Sequence, residues 1–232
     1  MNKMKFQFRQ TTNPFHNDKS IIYLSNLAFD SQEDIILDSI ISVFEMSNEE
    51  DRREYLSKIK EYYLNKGMIF DVQEFDENVD NFLSKNIGNM KGTFLELLIY
   101  KLIKEYCSYD EIYKECKVTY NNADENNHPY DVITQNNIIK FMDIKFSCHH
   151  LKPSHLNDLV EYLDEENVES YLISLDTFSK IENKINFLKF KNEISEEKCE
   201  FFKNNLHFIT NREIYEAVLD KKCLTKLGRF NY

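Results

Sequence analysis

Glycine and proline are scarce in this chain, with four glycines and three prolines among 232 residues. This scarcity argues against long flexible linkers and low-complexity segments, and it leaves little material for a glycine-rich loop that binds phosphate. No run of about 18 apolar residues occurs, so we expect no membrane-spanning helix. The basic N-terminus lacks the apolar stretch of a signal peptide. With 42% hydrophobic and 30% charged residues, the composition is typical of a globular protein with a buried core.

Cysteine pairs with metal-binding spacing are also missing. The five cysteines are scattered and contain no C-x-x-C pair, so reduced cysteines in a cytoplasmic protein are the simplest interpretation. Cys148, His149 and His150 invite a zinc interpretation, but their spacing matches no standard zinc module, and adjacent strand residues point in opposite directions. We therefore favour a polar or substrate-facing role for these two histidines.

The chain has no basic segment. Its net charge is −11, and acidic residues outnumber basic ones by 16 to 10 in residues 1–87, by 9 to 7 in 88–150 and by 15 to 12 in 151–232. Nucleic acids are polyanions, so an acidic chain that binds DNA or RNA needs divalent metal, a local basic patch or a partner subunit to offset the repulsion.

Residues 1–87 are predicted to form a mainly helical accessory or partner-binding lobe without a recognisable chemical motif. The spacing of apolar residues predicts helices that start at caps formed by Ser31 and Ser47, and a third, short helix over residues 75–83. Residues 21–29 fit either a short strand or the start of a helix.

Residues 88–232 are predicted to form an α/β core in which a central mixed β-sheet is flanked by helices. The predicted elements are, in order, a helix over 88–106, strands over 112–120, 130–135 and 138–147, a helix from Pro153, a strand over 168–175, a possible strand over 185–190, a helix over 195–205, a short strand over 206–209, and a last helix capped by Thr210 or Asn211.

Four charged residues stand out because they interrupt apolar elements. Glu96 lies on the predicted helix among apolar neighbours, Asp131 opens one predicted strand, and Asp143 interrupts the next, although aspartate is depleted inside strands. Lys145 shares a strand face with Asp143 because side chains alternate along a strand. The simpler alternative is that Glu96 reaches solvent from the edge of its helix face and that the strand residues form a solvent-facing stripe.

The turn at Asn136-Asn137 decides between these interpretations. A two-residue turn would pair Asp131 with Met142 and point Asp143 to the other face. A loop of three or five residues would pair Asp131 directly with Asp143, with both side chains on one face. A functional site therefore predicts an odd-length loop or a bulge here.

Converging residues of these types suit metal-assisted hydrolysis. The carboxylates of Asp131 and Asp143 with the backbone carbonyl of Ile144 suit a hard cation such as Mg²⁺ or Mn²⁺. Glu96 is expected to complete either the outer metal shell or a second metal site. Lys145 is then placed to hold the attacking water and to stabilise developing negative charge.

This pattern resembles the PD-(D/E)xK, or restriction-endonuclease-like, nuclease superfamily. The resemblance covers roughly residues 88–222 and depends on the order of elements as much as on its short motif. It implies that Asp131 is the first acid of the signature, that Asp143 and Lys145 are the second acid and the lysine, and that Glu96 is the acid of the preceding helix. These four residues are therefore the candidate catalytic set.

The resemblance implies a Mg²⁺- or Mn²⁺-dependent deoxyribonuclease, of endo or exo type, whose substrate is DNA. By analogy of fold, it further suggests the effector subunit of an anti-phage defence or restriction complex, with a larger ATPase or helicase subunit as partner. Two alternatives stay open. The first alternative to a deoxyribonuclease is a catalytically silent scaffold that binds partners through residues 1–87. The second is an RNA-cleaving toxin on the same fold.

Overall fold

The computed structural model describes residues 6–85, 87–121 and 128–226, which form an α/β fold built on a six-stranded mixed sheet. The strands are β1 (Phe6–Gln10), β2 (Glu111–Tyr120), β3 (Tyr130–Gln135), β4 (Ile139–Lys145), β5 (Val168–Ser174) and β6 (His207–Ile209). The described residues also form nine α-helices: α1 (Lys19–Asp30), α2 (Asp34–Glu45), α3 (Glu49–Asn65), α4 (Val72–Leu83), α5 (Ile87–Tyr106), α6 (Pro153–Val160), α7 (Phe178–Phe190), α8 (Glu196–Asn205) and α9 (Asn211–Asp220).

The strands lie side by side in chain order, from β1 at one edge to β6 at the other. The first four strands are antiparallel neighbours, whereas β4, β5 and β6 run parallel. A parallel neighbour requires a crossover, and α6 supplies the one between β4 and β5, while α7 and α8 supply the one between β5 and β6. The predicted mixed sheet is therefore confirmed.

The sheet buries both faces, and the strand sequences alternate accordingly. One face packs on α1–α5 and α9 and contributes Val132, Met142, Ile144, Tyr171, Ile173 and Ile209. The opposite face packs on α6–α8 and contributes Cys116, Val118, Tyr130, Ile133, Phe141, Leu172 and Phe208. No helix among the described residues is long and apolar enough to cross a membrane.

Residues 6–85 are joined to the rest of the fold. Strand β1 pairs antiparallel with β2 from Phe6 opposite Tyr120 to Gln10 opposite Cys116. Helices α1–α4 share one hydrophobic cluster with α5 and with the sheet. The division into an accessory lobe and a core stays a prediction, but the packing is continuous across residue 87.

Two segments with ambiguous or strand-like patterns are helical. Residues 21–29 belong to α1, whose first turn is capped by the Asp18 carboxylate through the backbone N–H groups of Ser20 and Ile21. The possible strand over 185–190 is wrong, because these residues form the end of α7. Its buried residues Ile181, Ile185 and Leu188 recur at helical spacing.

Two predicted caps are also wrong. Asn48, not Ser47, caps α3 by accepting the N–H of Glu50. Ser31 does not cap α2; its hydroxyl donates to the carbonyl of Ala28. Most of the predicted polar loop over 121–128 lies outside the described residues.

The expectation that all cysteines are reduced is wrong for two of them. Cys107 and Cys223, 116 residues apart, form a disulfide that joins the end of α5 to the segment after α9. Cys116, Cys148 and Cys199 are free and buried. Burial and then the nearby carboxylate of Glu115 raise the pKa of the Cys116 thiol to about 11, so this thiol stays protonated and unreactive. The spacing of the cysteines did not predict this disulfide, because Cys107 and Cys223 are brought together only by the packing of α9.

Candidate functional site

The loop between β3 and β4 has three residues, 136–138, which is the odd length that a shared site requires. Gln135 pairs with Ile139, and the register continues to Val132 opposite Met142. The next position along both strands places Asp131 opposite Asp143. Asn136 fixes the loop by accepting the N–H of Ile138 through its side chain. The odd-length loop predicted from sequence is confirmed.

Asp131, Asp143 and Lys145 are in direct contact as a result. The Nζ of Lys145 lies 2.6 Å from Oδ1 of Asp143 and 3.9 Å from Oδ2 of Asp131. The same Oδ2 atom of Asp131 accepts the backbone N–H of Ile144 at 2.5 Å. Because the side chains of Asp131 and Asp143 are each 12% exposed, they do not form a solvent-facing stripe.

Glu96 belongs to the same cluster. His16 links it to the row of strand acids, because Nε2 of His16 contacts both Glu96 and Glu115, and Glu96 is within electrostatic range of Asp131 and Lys145. It is 15% exposed, and its Oε2 lies 2.8 Å from Nε2 of His16. Glu96 is therefore held inside the cluster rather than extended into solvent, and all four residues chosen from the sequence lie together.

Sequence reasoning missed two members of the cluster, His16 and Glu115. His16 lies in a 3₁₀ turn, Pro14–Asn17, just after β1, and its side chain is 6% exposed. Its Nε2 is 3.8 Å from Oε1 of Glu115, whose side chain is 10% exposed. Glu115 offered a signal, because it is an acid within a strand, as Asp143 is. His16 offered none, since residues 1–20 lack periodicity and it approaches Glu96 only through the fold.

Glu115 has a strained backbone, with φ of 52° in the left-handed region. A residue with a Cβ adopts this conformation only at a cost of about 1–3 kcal/mol, and such residues concentrate at functional sites. The register places Glu115 between the pairs Lys114–Val132 and Cys116–Tyr130, opposite Asp131. One row of acids, Glu115, Asp131 and Asp143, therefore crosses β2, β3 and β4.

At this row, the side-chain alternation of β2 and β3 switches from one face of the sheet to the other. Ile112 and Val132 pack on the face that contacts α5, whereas Cys116 and Tyr130 pack on the opposite face. Residues two or four apart on a regular strand share a face, so both strands change face at the row that holds Glu115 and Asp131. The bend explains how side chains from a sheet reach Glu96 on a helix.

Carboxylates outnumber the single lysine in the cluster, and this excess of acids disfavours their ionised form. Burial raises the pKa of Asp131 well above its usual range; Lys145 lowers it, but Glu96 and Asp143 raise it further. Burial and then Glu96 likewise raise the pKa of Glu115. Burial alone would lower the pKa of Lys145, but Asp143 and Asp131 raise it above normal, so the ammonium remains charged. A single lysine therefore neutralises several carboxylates only in part.

Two observations make the residues suitable for a divalent cation. Oδ2 of Asp143 is buried and has no hydrogen-bond partner in the described part of the chain, although buried polar atoms normally have one. His16, Glu96 and Glu115 each offer a ligand atom, and these atoms lie within 4.8 Å of one another. Carboxylate oxygens with one imidazole nitrogen suit Mn²⁺ and, less well, Mg²⁺. The role predicted for the carbonyl of Ile144 stays a prediction.

Removing the charge of Asp131 is expected to stabilise the metal-free protein. Its folded-state pKa lies above the unfolded value of about 3.9, so the folded state is favoured at low pH, and stability is lost as pH rises through the folded pKa. We expect Asp131→Asn to raise the free energy of unfolding at about pH 8, with the gain shrinking as pH falls. Thermal unfolding in a chelator across a pH series measures this.

Asp176 provides a control of opposite sign. Burial raises its pKa, but hydrogen bonds from Cys148 and Ser147 outweigh burial and hold it below normal. Its stabilising contribution is therefore present at neutral pH and lost as pH falls through the folded pKa. Asp176→Asn is expected to destabilise the protein. Destabilisation by Asp131→Asn as well would contradict the charge balance described for the cluster.

Comparisons with known proteins add little to this geometry. No protein-family model matches the sequence, and no curated protein matches it. Among solved structures, the chain is similar to protein VC1899 from Vibrio cholerae, with a TM-score of 0.49 and 12% sequence identity over 97% of this chain and 60% of that chain. The chain thus spans 60% of the length of that protein. At this level of similarity the match carries no inference about family or activity.

Proposed function

We propose that this protein is a Mg²⁺- or Mn²⁺-dependent nuclease that hydrolyses phosphodiester bonds of DNA on a restriction-endonuclease-like core. The observation that carries the proposal is the pairing of Asp131 with Asp143, with the ammonium of Lys145 2.6 Å from Asp143. The order α5, three antiparallel strands, α6 and a parallel strand also supports this core.

Asp131, Asp143 and Glu96 are the residues proposed to hold the metal, with His16 and Glu115 completing the set. The unpartnered Oδ2 atom of Asp143 is the most direct support, because a cation would supply the interaction that this buried oxygen lacks. When bound, such a cation lowers the pKa of a water ligand and neutralises charge on a phosphoryl oxygen.

Lys145 acts in this proposal as a fixed positive charge and not as a base. Its pKa is raised by Asp143 and Asp131, so it carries a proton throughout the physiological pH range. An ammonium donates hydrogen bonds but accepts none. Lys145 therefore donates a hydrogen bond to the oxygen of the attacking water and orients it. The ammonium also stabilises the negative charge that develops on the phosphoryl group.

We further propose that the protein works with a partner. The net charge of −11 opposes tight binding of DNA, so a larger subunit such as an ATPase or helicase would supply recognition and restrain cutting. An effector subunit of an anti-phage defence complex is the setting that fits an acidic nuclease of this kind. Recovery of such a subunit with the tagged chain from its native host tests this part independently.

The activity itself is tested with purified protein and plasmid DNA. We expect cleavage with Mn²⁺ and none in a chelator, and we expect Asp143→Asn to abolish it because the variant loses a buried carboxylate of the metal site. Asp220→Asn serves as the control, since Asp220 is an exposed acid on α9 with its side chain 52% exposed. Metal-independent cleavage, or full activity of Asp143→Asn, would rule out the proposed mechanism.

A further inference from the structure

An open groove lies next to the acidic cluster, between α1 and α5, and the proposed function does not account for it. Its volume is about 560 Å³. Helix α1 forms one wall and α5 the other, and Lys114 of β2 and His16 also line it. His16 also contacts Glu96, so the groove borders the candidate site through His16.

Lysines outnumber acids by three to two in the lining of this groove. Lys101, Lys104 and Lys114 line it, and none forms an ion pair within 4.0 Å among residues 6–85, 87–121 and 128–226. Two acids, Asp30 and Glu105, also line it. Burial lowers the pKa of Lys101, and these two acids oppose the effect only in part. An anionic group in the groove would therefore improve the environment of Lys101.

Aromatic rings are interleaved with these charges. Nζ of Lys114 lies 5.3 Å from the ring centroid of Tyr100, and Nζ of Lys101 lies 6.0 Å from that of Phe29. Both rings are half-buried and line the groove. Lysines that track a backbone, together with rings on which bases stack, are the features of grooves that bind single-stranded nucleic acid.

Helix geometry aligns the groove with the site. Glu96, Tyr100 and Lys104 are spaced four residues apart on α5, so their side chains form one ridge along the helix surface. Eight residues of helix extend about 12 Å, and one strand advances about 3.4 Å per nucleotide in B-form geometry. The ridge thus spans roughly three to four nucleotides. The groove volume falls within the ~300–1,000 Å³ of small-molecule pockets, a size that suits part of one strand.

We propose that this groove binds a short single-stranded segment of DNA and leads it to the carboxylates of the candidate site. The inference rests on the proposed nuclease function and specifies its substrate as a single strand, either a free end or a locally opened duplex. It also gives the N-terminal helix α1 a role as one wall of the substrate path.

The test measures binding of a short fluorescent oligo-dT in a chelator, so that cleavage does not interfere. The variant Lys101→Gln, Lys104→Gln, Lys114→Gln is expected to bind about tenfold more weakly or worse, and its salt dependence is expected to fall by about 0.7 for each phosphate that the variant no longer neutralises. The matched control, Lys58→Gln, Lys189→Gln, Lys198→Gln, changes net charge equally on α3, α7 and α8 and is expected to retain affinity.

Two further variants test whether weaker binding reflects misfolding, and two further ligands test the preference for single-stranded DNA. Lys104→Gln alone changes one exposed residue, so it is expected to weaken binding several-fold with an unchanged melting temperature. Tyr100→Ala is expected to weaken binding about tenfold because the base loses its stacking surface. Unchanged binding by the triple variant, equal weakening by the control variant, or equal affinity for a matched duplex or oligo-U RNA would overturn the proposal.

The outcomes also separate this inference from the proposed function. If the triple variant binds oligo-dT normally while wild-type protein cuts DNA with Mn²⁺, the groove assignment fails and the nuclease proposal stands. If the triple variant loses binding but no metal-dependent cleavage is found, the groove assignment stands and the nuclease proposal fails.

Discussion

Replacing Lys145 with alanine is expected to lower the rate of Mn²⁺-dependent DNA cleavage by about 10²–10³-fold, the loss typical of removing one preorganised group that stabilises transition-state charge. The ammonium is fixed 2.6 Å from Asp143 and 3.9 Å from Asp131, so no other described cation replaces it there. Single-turnover cleavage of a labelled oligonucleotide at saturating Mn²⁺ measures the effect on the chemical step.

Lys140→Ala is the matched control for this experiment. Lys140 lies on the same strand, is buried to a similar degree, and forms an ion pair of 2.8 Å with Glu169 away from the cluster. Its removal takes away the same charge and a comparable ion pair, so we expect reduced stability but normal cleavage per folded molecule. Equal loss of activity in both variants would show that the effect of Lys145→Ala is structural.

Replacing His16 with alanine is expected to raise the Mn²⁺ concentration needed for cleavage by about 10–100-fold or more, because the variant loses both a proposed metal ligand and the group that orients the carboxylate of Glu96. Nε2 of His16 holds Oε2 of Glu96 at 2.8 Å. Imidazole favours Mn²⁺ over Mg²⁺, so activity with Mg²⁺ should fall less. Cleavage rates across titrations of both metals measure the two responses.

His149→Ala is the control, since His149 is an exposed histidine just beyond β4. It should leave both metal titrations unchanged. An unchanged Mn²⁺ requirement in His16→Ala would remove His16 from the site and leave Glu96 as the only contribution of the helices.

The sequence predicted the core of the cluster because its signals are local. Asp131 and Asp143 lie in consecutive strands joined by a short loop, so apolar alternation and loop length limit their register to a few choices. Asp143 and Lys145 are two residues apart on one strand and share a face by geometry alone. These relationships follow from the chain order without any long-range contact.

The remaining parts of the site depend on long-range packing. His16 meets Glu96 across 80 residues, through the pairing of β1 with β2 and the packing of α5 on the turn after β1. No periodic signal marks that turn. The groove is equally non-local, since its walls come from α1 and α5. The same reason explains the missed disulfide between Cys107 and Cys223.

The misassigned segment 185–190 illustrates a different limit. Short apolar runs fit a buried strand and one side of a helix equally well. Residues 178–184, which precede the run, contain one buried residue, Ile181, and the period becomes visible only when that residue is included. Strand β1 is not among the predicted elements, because its alternation is limited to two apolar residues, Phe6 and Phe8, at a sheet edge.

Direct measurement of Mn²⁺ binding by calorimetry tests the central claim that Asp131 and Asp143 form a metal site. We expect saturable binding to the wild-type protein and to Lys140→Ala, and its loss in the double variant Asp131→Asn, Asp143→Asn. This variant should remain folded because asparagine keeps the shape of aspartate and an oxygen that accepts the hydrogen bonds of Ile144 and Lys145. Wild-type protein that binds no Mn²⁺, or a double variant that binds it with unchanged affinity, would contradict the claim and favour a scaffold without catalytic metal.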